Sequence, residues 1–203
     1  MKIICIGRNY SENAREMNAQ VPEAPVFFMK PDTALLKDNA PFYHPDFSSD
    51  IHHELELVVK ISKAGKHIQA QFAPNYFNEV TVGIDFTARD LQANCKAKGL
   101  PWEIAKAFDN SAPIGKFVPV SKLKGMNNLS FSLLKNGQQV QQGNSSDMLF
   151  NINQIIEYVS KFITLKVGDL IYTGTPAGVS SVKIGDVLEA SLEGETLLKF
   201  EIK

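Results

Sequence analysis

The sequence predicts an α+β fold that is rich in β-strands. Three observations indicate this class: many short apolar runs bounded by turn residues, an Asn136-Gly137 pair between two extended segments, and three modest helical patterns. Strands and helices do not alternate strictly, which argues against a doubly wound parallel sheet. With 203 residues, we expect the chain to form a single domain over residues 1–203.

Composition excludes several classes of protein. Apolar residues make up 44% of the chain and only 13 Gly and 10 Pro are present, so it can bury a core. A formal net charge of -1 gives no broad attraction to nucleic acid or to an anionic membrane, and neither is expected as a partner. Cys5 and Cys95 are too few for a disulfide framework and match no zinc spacing, so we expect reduced thiols. No apolar run suits a signal peptide or a membrane span, and a cytoplasmic location is expected.

The N-terminal quarter predicts short strands around one helix. Proline residues and polar clusters set the boundaries, because proline disfavours the helical conformation in the residue before it. The predicted elements are a buried strand over residues 2–6, a helix capped by Ser11 and ended before Pro22, apolar strands within 25–30 and 33–36, and a polar loop over 44–50.

Residues 52–61 alternate in the way that a single strand does. One face carries His53 and then four apolar residues, which predicts that this face is core: Leu55, Leu57, Val59 and Ile61. The opposite face carries Glu54 and Glu56 at its start, within a few ångströms of each other. Like charges in a partly buried site repel unless a cation neutralises them, although a solvent-facing strand edge produces the same pattern.

A third carboxylate lies within the next apolar strand, which is predicted over residues 80–86. Asp85 lies near its C-terminal end, where a loop opens. We expect Thr87 to cap the following helix with Asp90 three residues on, and Gly99 with Pro101 to stop it.

The second half carries clear turn and cap signals. Asn136-Gly137 predicts a type I′ hairpin between residues 129–135 and 138–142. Asn151 predicts the cap of an amphipathic helix. Residues 165–169 are echoed by residues 182–186, each predicting a turn before a strand.

Three carboxylates would form a hard oxygen site. Such a site suits Mg²⁺ or Mn²⁺ and is poor for zinc, which prefers His and Cys. Three positions of an octahedral ion would remain open, and the carboxylate and keto oxygens of a 2-oxo acid can fill two of them. Glu54, Glu56 and Asp85 therefore predict a site for a divalent metal, with coordination positions open to a ligand such as a 2-oxo acid.

Eight sequence blocks resemble the motifs of the fumarylacetoacetate hydrolase family, and closely those of its acylpyruvase and oxaloacetate decarboxylase branch. They occur in family order over nearly the whole chain. The blocks are GRNY at 7–10, PVFFMKP at 25–31, HELEL at 53–57, GIDFTARDLQ at 83–92, KGLPW at 98–102, AKAFD at 105–109, GNSSDM at 143–148 and TGTPAGV at 173–179.

The resemblance implies a fumarylacetoacetase-type mixed β-sandwich roll with a few short helices. It also implies a homodimer that binds Mg²⁺ or Mn²⁺ and acts on a small 2-oxo or enol diacid. Glu54, Glu56 and Asp85 match the family's metal ligands, and Lys106 matches its active-site lysine. Lys106 would stabilise a developing enolate or hold a substrate carboxylate.

The resemblance also implies substrate-binding residues: Arg8, Arg89, Gln92 and Thr175. Arg89 would hold a carboxylate with a bidentate fork, and Thr175 matches the family's substrate-carboxylate contact. The alternatives are a surface salt bridge for Arg89 and Lys106, and a glycine-rich turn with no binding role around Thr175.

One departure from the family pattern concerns the water-activating pair. Hydrolytic members carry a His and, three residues later, a Glu on the helix after GRNY; here these positions are Asn13 and Glu16. Asn has no titratable proton near neutral pH and cannot act as a general base. Glu16 or the neighbouring Glu12 is the candidate substitute, and the alternative is a solvent-exposed helix with no catalytic role.

The expected function is C–C bond cleavage next to a 2-oxo acid, either acylpyruvate hydrolysis or oxaloacetate-type decarboxylation through a metal-stabilised enolate. A 2-hydroxyhepta-2,4-diene-1,7-dioate isomerase type of double-bond isomerase is the enzymatic alternative. An alternative from another class is a metal- and oxo-acid-binding protein whose catalysis is weakened because Asn13 replaces the His.

Overall fold

The structure is a computed structural model that describes residues 1–12 and 21–203. Asn13 and Glu16, and most of the helix predicted after Ser11, lie outside the described residues. The helices described by their bounds are α1 (Arg89–Lys98), α2 (Glu103–Lys106) and α3 (Ile152–Phe162). The strands are β1 (Ile3–Gly7), β2 (Val26–Lys30), β3 (Leu35–Leu36), β4 (Ile51–His53), β5 (Leu55–Ile61), β6 (Phe77–Ile84), β7 (Thr87–Ala88), β8 (Ala112–Pro113), β9 (Val118–Pro119), β10 (Ser130–Lys135), β11 (Gln138–Asn144), β12 (Leu170–Tyr172), β13 (Ser180–Ser181), β14 (Val187–Leu192) and β15 (Glu195–Glu201).

Two sheets carry most of the fold. The larger has the order β2-β1-β12-β5-β6-β9, and only its β1–β12 pair is parallel. The smaller is antiparallel, with the order β11-β10-β14-β15. The main core contains apolar side chains from both, such as Leu57 and Leu133. The prediction of a β-rich α+β fold with few helices is confirmed.

The inner strands β1, β12 and β5 of the larger sheet are buried on both faces. The second face of this sheet packs into a smaller apolar cluster that includes Cys5, Val58 and Tyr172. Both cysteines are buried and free. In the part of the chain that is described, no helix has the length and apolar character needed to span a membrane.

The prediction of one continuous strand over residues 52–61 is wrong. The strand breaks at Glu54, because β4 pairs with β7 and β13 while β5 pairs with β6 and β12, so the chain changes sheet there. The prediction of a polar strand face opposite the core is also wrong after Glu54. Residues 55–59 are all buried, since β5 lies in the middle of a sheet that is covered on both sides.

The predicted cap at Thr87 is also wrong. Thr87 and Ala88 form β7, which pairs with β4, and α1 begins after Ala88 without a side-chain cap. Asp90 instead accepts hydrogen bonds from Ser48 Oγ (2.7 Å) and Ser49 N (3.1 Å), so it fastens the polar loop to the helix. The predicted stop is confirmed, because Gly99 adopts a left-handed conformation at φ 64° after the last turn.

The turn signals of the second half are confirmed. Asn136 and Gly137 have φ of 54° and 79° between β10 and β11, as a type I′ turn requires. The two echoed segments form the same turn. Asp169 Oδ2 accepts a hydrogen bond from Lys166 N, and Asp186 Oδ2 accepts one from Lys183 N, each at 2.8 Å.

Asn151 provides a test of local stability. Its side chain accepts a hydrogen bond from Gln154 N while the Gln154 side chain accepts one from Asn151 N, which completes a capping box on α3. We expect Asn151→Ala to lower the free energy of unfolding by about 1 kcal/mol. Urea unfolding measures this change in free energy. Asn153→Ala is the control, because it removes the same amide side chain from inside the helix and leaves the cap intact. Equal losses in both variants would contradict the capping role.

Candidate active site

Three carboxylates converge where β5 of the larger sheet begins and its neighbour β6 ends. Glu56 lies in β5, Glu54 lies in the break before it, and Asp85 follows β6 directly. The register pairs Glu56 with Gly83, and Asp85 N donates to Glu54 O at 2.8 Å, so the three residues become neighbours. One oxygen from each side chain lies within 4.8 Å of the others.

Two lysines balance most of this buried negative charge. Lys106 Nζ lies 2.8 Å from Glu54 Oε2 and 2.7 Å from Asp85 Oδ2. Lys30 Nζ lies 2.7 Å from Asp85 Oδ1, and both of these side chains are almost completely buried. Burial alone would lower the pKa of Lys106, but the Asp85 and Glu54 carboxylates raise it well above its usual value, so the ammonium stays charged.

Lys30 is a site residue that the sequence reasoning did not single out. Its ammonium also donates to the backbone oxygens of Phe86, Lys106 and Ser111. A lysine that ends an apolar strand directly before Pro31 was the available signal. The Lys30 side chain is buried, so its charge is directed to Asp85 in the site and not to solvent.

Glu54 is strongly held in its charged form. Although burial alone would raise its pKa, Lys106 and Arg89 lower the pKa of this carboxyl to about 2. Arg89 Nη2 lies 2.7 Å from Glu54 Oε1, and Arg89 Nη1 donates to Gln92 Oε1 at 2.8 Å. Arg89 therefore forms a partly buried ion pair inside the site and not a surface salt bridge. Its role in holding a substrate carboxylate stays a prediction.

Glu56 is in the opposite situation. In the described part of the chain it forms no ion pair, and it accepts a hydrogen bond from Gly174 N at 2.7 Å. Burial and the nearby Asp85 charge raise its pKa well above the usual value. A divalent cation would relieve this repulsion, and three carboxylates form the oxygen donor set that Mg²⁺ and Mn²⁺ prefer. The residues present therefore fit such an ion.

The carboxylates lie at the bottom of a cleft with cationic and aromatic walls. Arg8 and Lys96 line it together with Phe28 and Trp102. Arg8 has a left-handed backbone at φ 59°, which is uncommon for a residue with a side chain and is often found at functional sites. Partial burial and then the charges of Arg89 and Arg8 lower the pKa of Lys96. Cationic side chains thus line the same cleft as the three carboxylates.

Eight of the ten sequence-predicted site residues line this one cleft. They are Arg8, Glu54, Glu56, Asp85, Arg89, Gln92, Lys106 and Thr175. The other two, Asn13 and Glu16, lie outside the described residues. Glu12 lines a neighbouring cavity with Tyr10 and Pro176, not the cleft.

His52 and His53, which precede Glu54 in the sequence, form hydrogen bonds with residues other than the three carboxylates. His52 Nε2 lies 2.9 Å from Asp50 Oδ1. His53 is completely buried between Gln141 and Ser180, and burial lowers its pKa to about 4, so its ring is neutral. Gln141, which the sequence reasoning also missed, donates to Thr175 Oγ1 at 2.9 Å.

Comparison with known proteins gives the family. The family model described as fumarylacetoacetate (FAA) hydrolase C-terminal matches residues 2–203, and the chain belongs to this family of enzymes. It is 43% identical over 201 residues to a mitochondrial oxaloacetate tautomerase of Bos taurus, covering 99% of this chain and 91% of that one. It is 42% identical over 203 residues to a mitochondrial oxaloacetate decarboxylase of Dictyostelium discoideum, covering 99% and 93%.

A solved structure is also similar over the whole chain. The fumarylpyruvate hydrolase from Pseudomonas aeruginosa, in complex with Mn²⁺ and pyruvate, has a TM-score of 0.94 and 35% identity, and the match covers 100% of this chain and 89% of that one. The family resemblance seen in the motifs is confirmed. The homodimer and the cytoplasmic location stay predictions.

Gly174 offers a test of how the loop after β12 supports the site. It has φ 102°, and a Cβ there would lie 2.7 Å from Asn9 Cβ. We expect Gly174→Ala to strain the backbone and shift the N–H that holds Glu56, lowering Mn²⁺ affinity by roughly tenfold or more. Calorimetric titration measures this.

Gly185→Ala is the matched control, because Gly185 has φ 92° and a Cβ there meets no atom within 4 Å. It shares the backbone strain but lies outside the cleft. A similar loss of Mn²⁺ affinity in both variants would show that the effect is general destabilisation.

Proposed function

We propose that this chain is a Mg²⁺- or Mn²⁺-dependent enzyme that acts on a small 2-oxo or enol diacid, with oxaloacetate as its substrate. The observation that carries the proposal is the cleft itself, which combines three clustered carboxylates with converging cationic side chains. The oxaloacetate enzymes among the relatives support this choice of substrate.

The charge pattern of the cleft suits a doubly negative substrate. Arg8 and Lys96 supply positive charge on the walls, and Lys96 already has a lowered pKa beside Arg89 and Arg8. A bound dianion would relieve the repulsion among these groups. Thr175 adds a hydroxyl for one substrate oxygen.

Glu54, Glu56 and Asp85 would hold the divalent ion, which when bound polarises the 2-oxo group and stabilises negative charge on its oxygen. Lys106 contributes a second positive charge next to the same carboxylates. Lys106 Nζ lies 2.8 Å from Glu54 Oε2 and 2.7 Å from Asp85 Oδ2, and we assign it the role of a cation beside the bound substrate. Phe28 and Trp102 contribute apolar aromatic surface to the cleft.

The cleft favours reactions that need an electron sink over reactions that need an activated water. Among the described residues that line it there is no histidine. Decarboxylation of oxaloacetate passes through an enolate without removal of a C–H proton, and Lys106 together with a divalent ion held by the three carboxylates would stabilise its negative charge. Keto–enol tautomerisation passes through the same enolate but also needs a group that takes up and returns the C3 proton. Hydrolysis of an acylpyruvate also needs a base for water, and Asn13 cannot be one.

Glu56 provides the test of the proposal. The wild type with Mn²⁺ is given oxaloacetate, and loss of the enol absorbance and formation of pyruvate are followed together. We expect Glu56→Gln to lose at least about 100-fold in turnover and to bind Mn²⁺ much more weakly by calorimetry, because one of three carboxylate ligands loses its charge. Glu79→Gln is the control, since Glu79 pairs with Lys60 in the same sheet away from the cleft.

Unchanged Mn²⁺ binding in Glu56→Gln would refute the metal assignment. A wild type that binds Mn²⁺ without turning over oxaloacetate would refute the substrate. Turnover of a 2-hydroxydienoate in place of oxaloacetate would favour the isomerase alternative, and Mn²⁺-dependent ligand binding without any turnover would favour the binding protein.

A substitution at Asn13 distinguishes acylpyruvate hydrolysis from oxaloacetate decarboxylation. We expect Asn13→His to raise acylpyruvate hydrolysis by at least roughly tenfold, since general-base catalysis typically contributes about 10²- to 10⁴-fold. Oxaloacetate decarboxylation should change little, because the metal and Lys106 supply its electron sink without a base. Steady-state rates on both substrates measure this. If the wild type already hydrolyses acylpyruvates efficiently and Asn13→His has no effect, Glu16 or Glu12 is the base.

A further inference from the structure

A chain of hydrogen bonds leads from the protein surface to the cleft. Lys135 Nζ lies 3.2 Å from Ser180 Oγ, and Ser180 Oγ lies 2.8 Å from His53 Nε2. His53 Nδ1 lies 2.9 Å from Gln141 Oε1, and Gln141 Nε2 lies 2.9 Å from Thr175 Oγ1. His53 and Gln141 are buried, and Thr175 lines the cleft. None of the first four side chains has a part in the proposed function.

The orientation of the Gln141 amide is fixed by two backbone groups. Leu55 N donates to Oε1 at 2.9 Å, and Nε2 donates to Pro176 O at 3.0 Å. A backbone N–H can only donate and a carbonyl oxygen can only accept, so the reversed amide would lose both bonds. The nitrogen of Gln141 therefore faces Thr175.

The direction of the remaining bonds follows from this orientation. His53 Nδ1 faces Gln141 Oε1, which can only accept, so the ring hydrogen is on Nδ1. Nε2 then accepts from the Ser180 hydroxyl, whose oxygen accepts from the Lys135 ammonium. Every bond in the chain thus donates toward the cleft.

The last link leaves the Thr175 hydrogen only weakly bound. Because Thr175 Oγ1 accepts from Gln141, its own hydrogen must find another acceptor. Among the described residues that acceptor is Pro176 O at 3.5 Å, a long contact, so an anionic oxygen in the cleft at an ordinary hydrogen-bond distance would be the stronger acceptor. Hydrogen bonds aligned in one direction polarise one another, which strengthens the last donor.

We propose that Gln141 is a positioning residue that holds the Thr175 hydroxyl as a donor to an anionic oxygen of the substrate. This inference rests on the proposed function, because it requires an anionic substrate in the cleft. Gln141 does not touch the substrate; it acts by ensuring that Thr175 meets the substrate with its hydrogen and not with its lone pairs.

A double-mutant cycle tests the inference. The holoenzyme with Mn²⁺ is compared as wild type, Gln141→Met, Thr175→Val and the double variant, by KM and kcat for oxaloacetate and by calorimetric binding of pyruvate. A hydrogen bond to a charged group corresponds to about 10- to 100-fold in affinity, so we expect Gln141→Met to raise KM about tenfold with little change in kcat. In the Thr175→Val background, Gln141→Met should add less than about twofold.

Two further variants sharpen the result. Gln139→Met is the matched control, because Gln139 lies in the same strand but is exposed and bonds to Gln142. Gln141→Glu keeps both acceptor bonds but cannot donate to Thr175, so it should raise KM as Gln141→Met does, and it decides the question if Gln141→Met does not fold. Urea unfolding of each variant reports folding separately.

The outcomes distinguish the two proposals. An equal rise of KM in both Thr175 backgrounds, or no rise at all, would overturn the positioning role while leaving oxaloacetate turnover by the wild type intact. If the wild type turns over no oxaloacetate, pyruvate binding decides the inference by the same cycle. A wild type that binds no pyruvate with Mn²⁺ overturns the inference together with the proposed function.

Discussion

The repulsion among three buried carboxylates is the constraint on which the site depends. Placing Glu54, Glu56 and Asp85 within 4.8 Å of one another is unfavourable unless positive charge lies equally close. Lys30 and Lys106 provide that charge at 2.7 to 2.8 Å for Asp85 and Glu54. Glu56 forms no ion pair in the described chain, and this asymmetry is what makes the cluster suited to a further cation.

The fold around the site follows from the same constraint. The two lysines reach the carboxylates from different elements: Lys30 ends β2, the edge strand of the larger sheet, and Lys106 ends α2. The strand break at Glu54 lets its side chain reach both Lys106 and Arg89, while Glu56 remains fixed in β5. A single unbroken strand would have placed the side chains of Glu54 and Glu56 on the same face of one sheet. The change of sheet therefore allows each carboxylate its own set of partners.

Much of this arrangement could be predicted from sequence where the signal is local. The Asn136-Gly137 turn, the Asn151 cap and the stop at Gly99 depend on a few neighbouring residues, and each is confirmed. The break at Glu54 and the strand at Thr87 could not be predicted, because both result from pairing between segments more than 30 residues apart. The family motifs supplied the candidate residues of the cleft, but not their ion pairs.

Gln141 shows the limit of a periodic pattern. In β11 the alternation would favour Val140 as the buried residue. A β-bulge moves the pairing from Leu133–Gln141 to Leu134–Gln139, so Val140 is passed over and Gln141 turns inward. Bulges depend on the fit between strands and have no reliable local signature. The sequence therefore does not distinguish Gln141, which contacts Thr175, from the three other glutamines of the same strand.

The contacts of Lys30 also have a consequence for the order of folding. Its ammonium joins the end of β2 to groups 56, 76 and 81 residues further along the chain. Contacts between such distant segments close large loops and therefore form slowly. Because β2 pairs with β1 inside the larger sheet, Asp85 gains this partner only when β2 has taken its place at the edge of that sheet. Neutralisation of the acidic cluster is thus coupled to formation of the whole sheet and not to the local structure around Asp85.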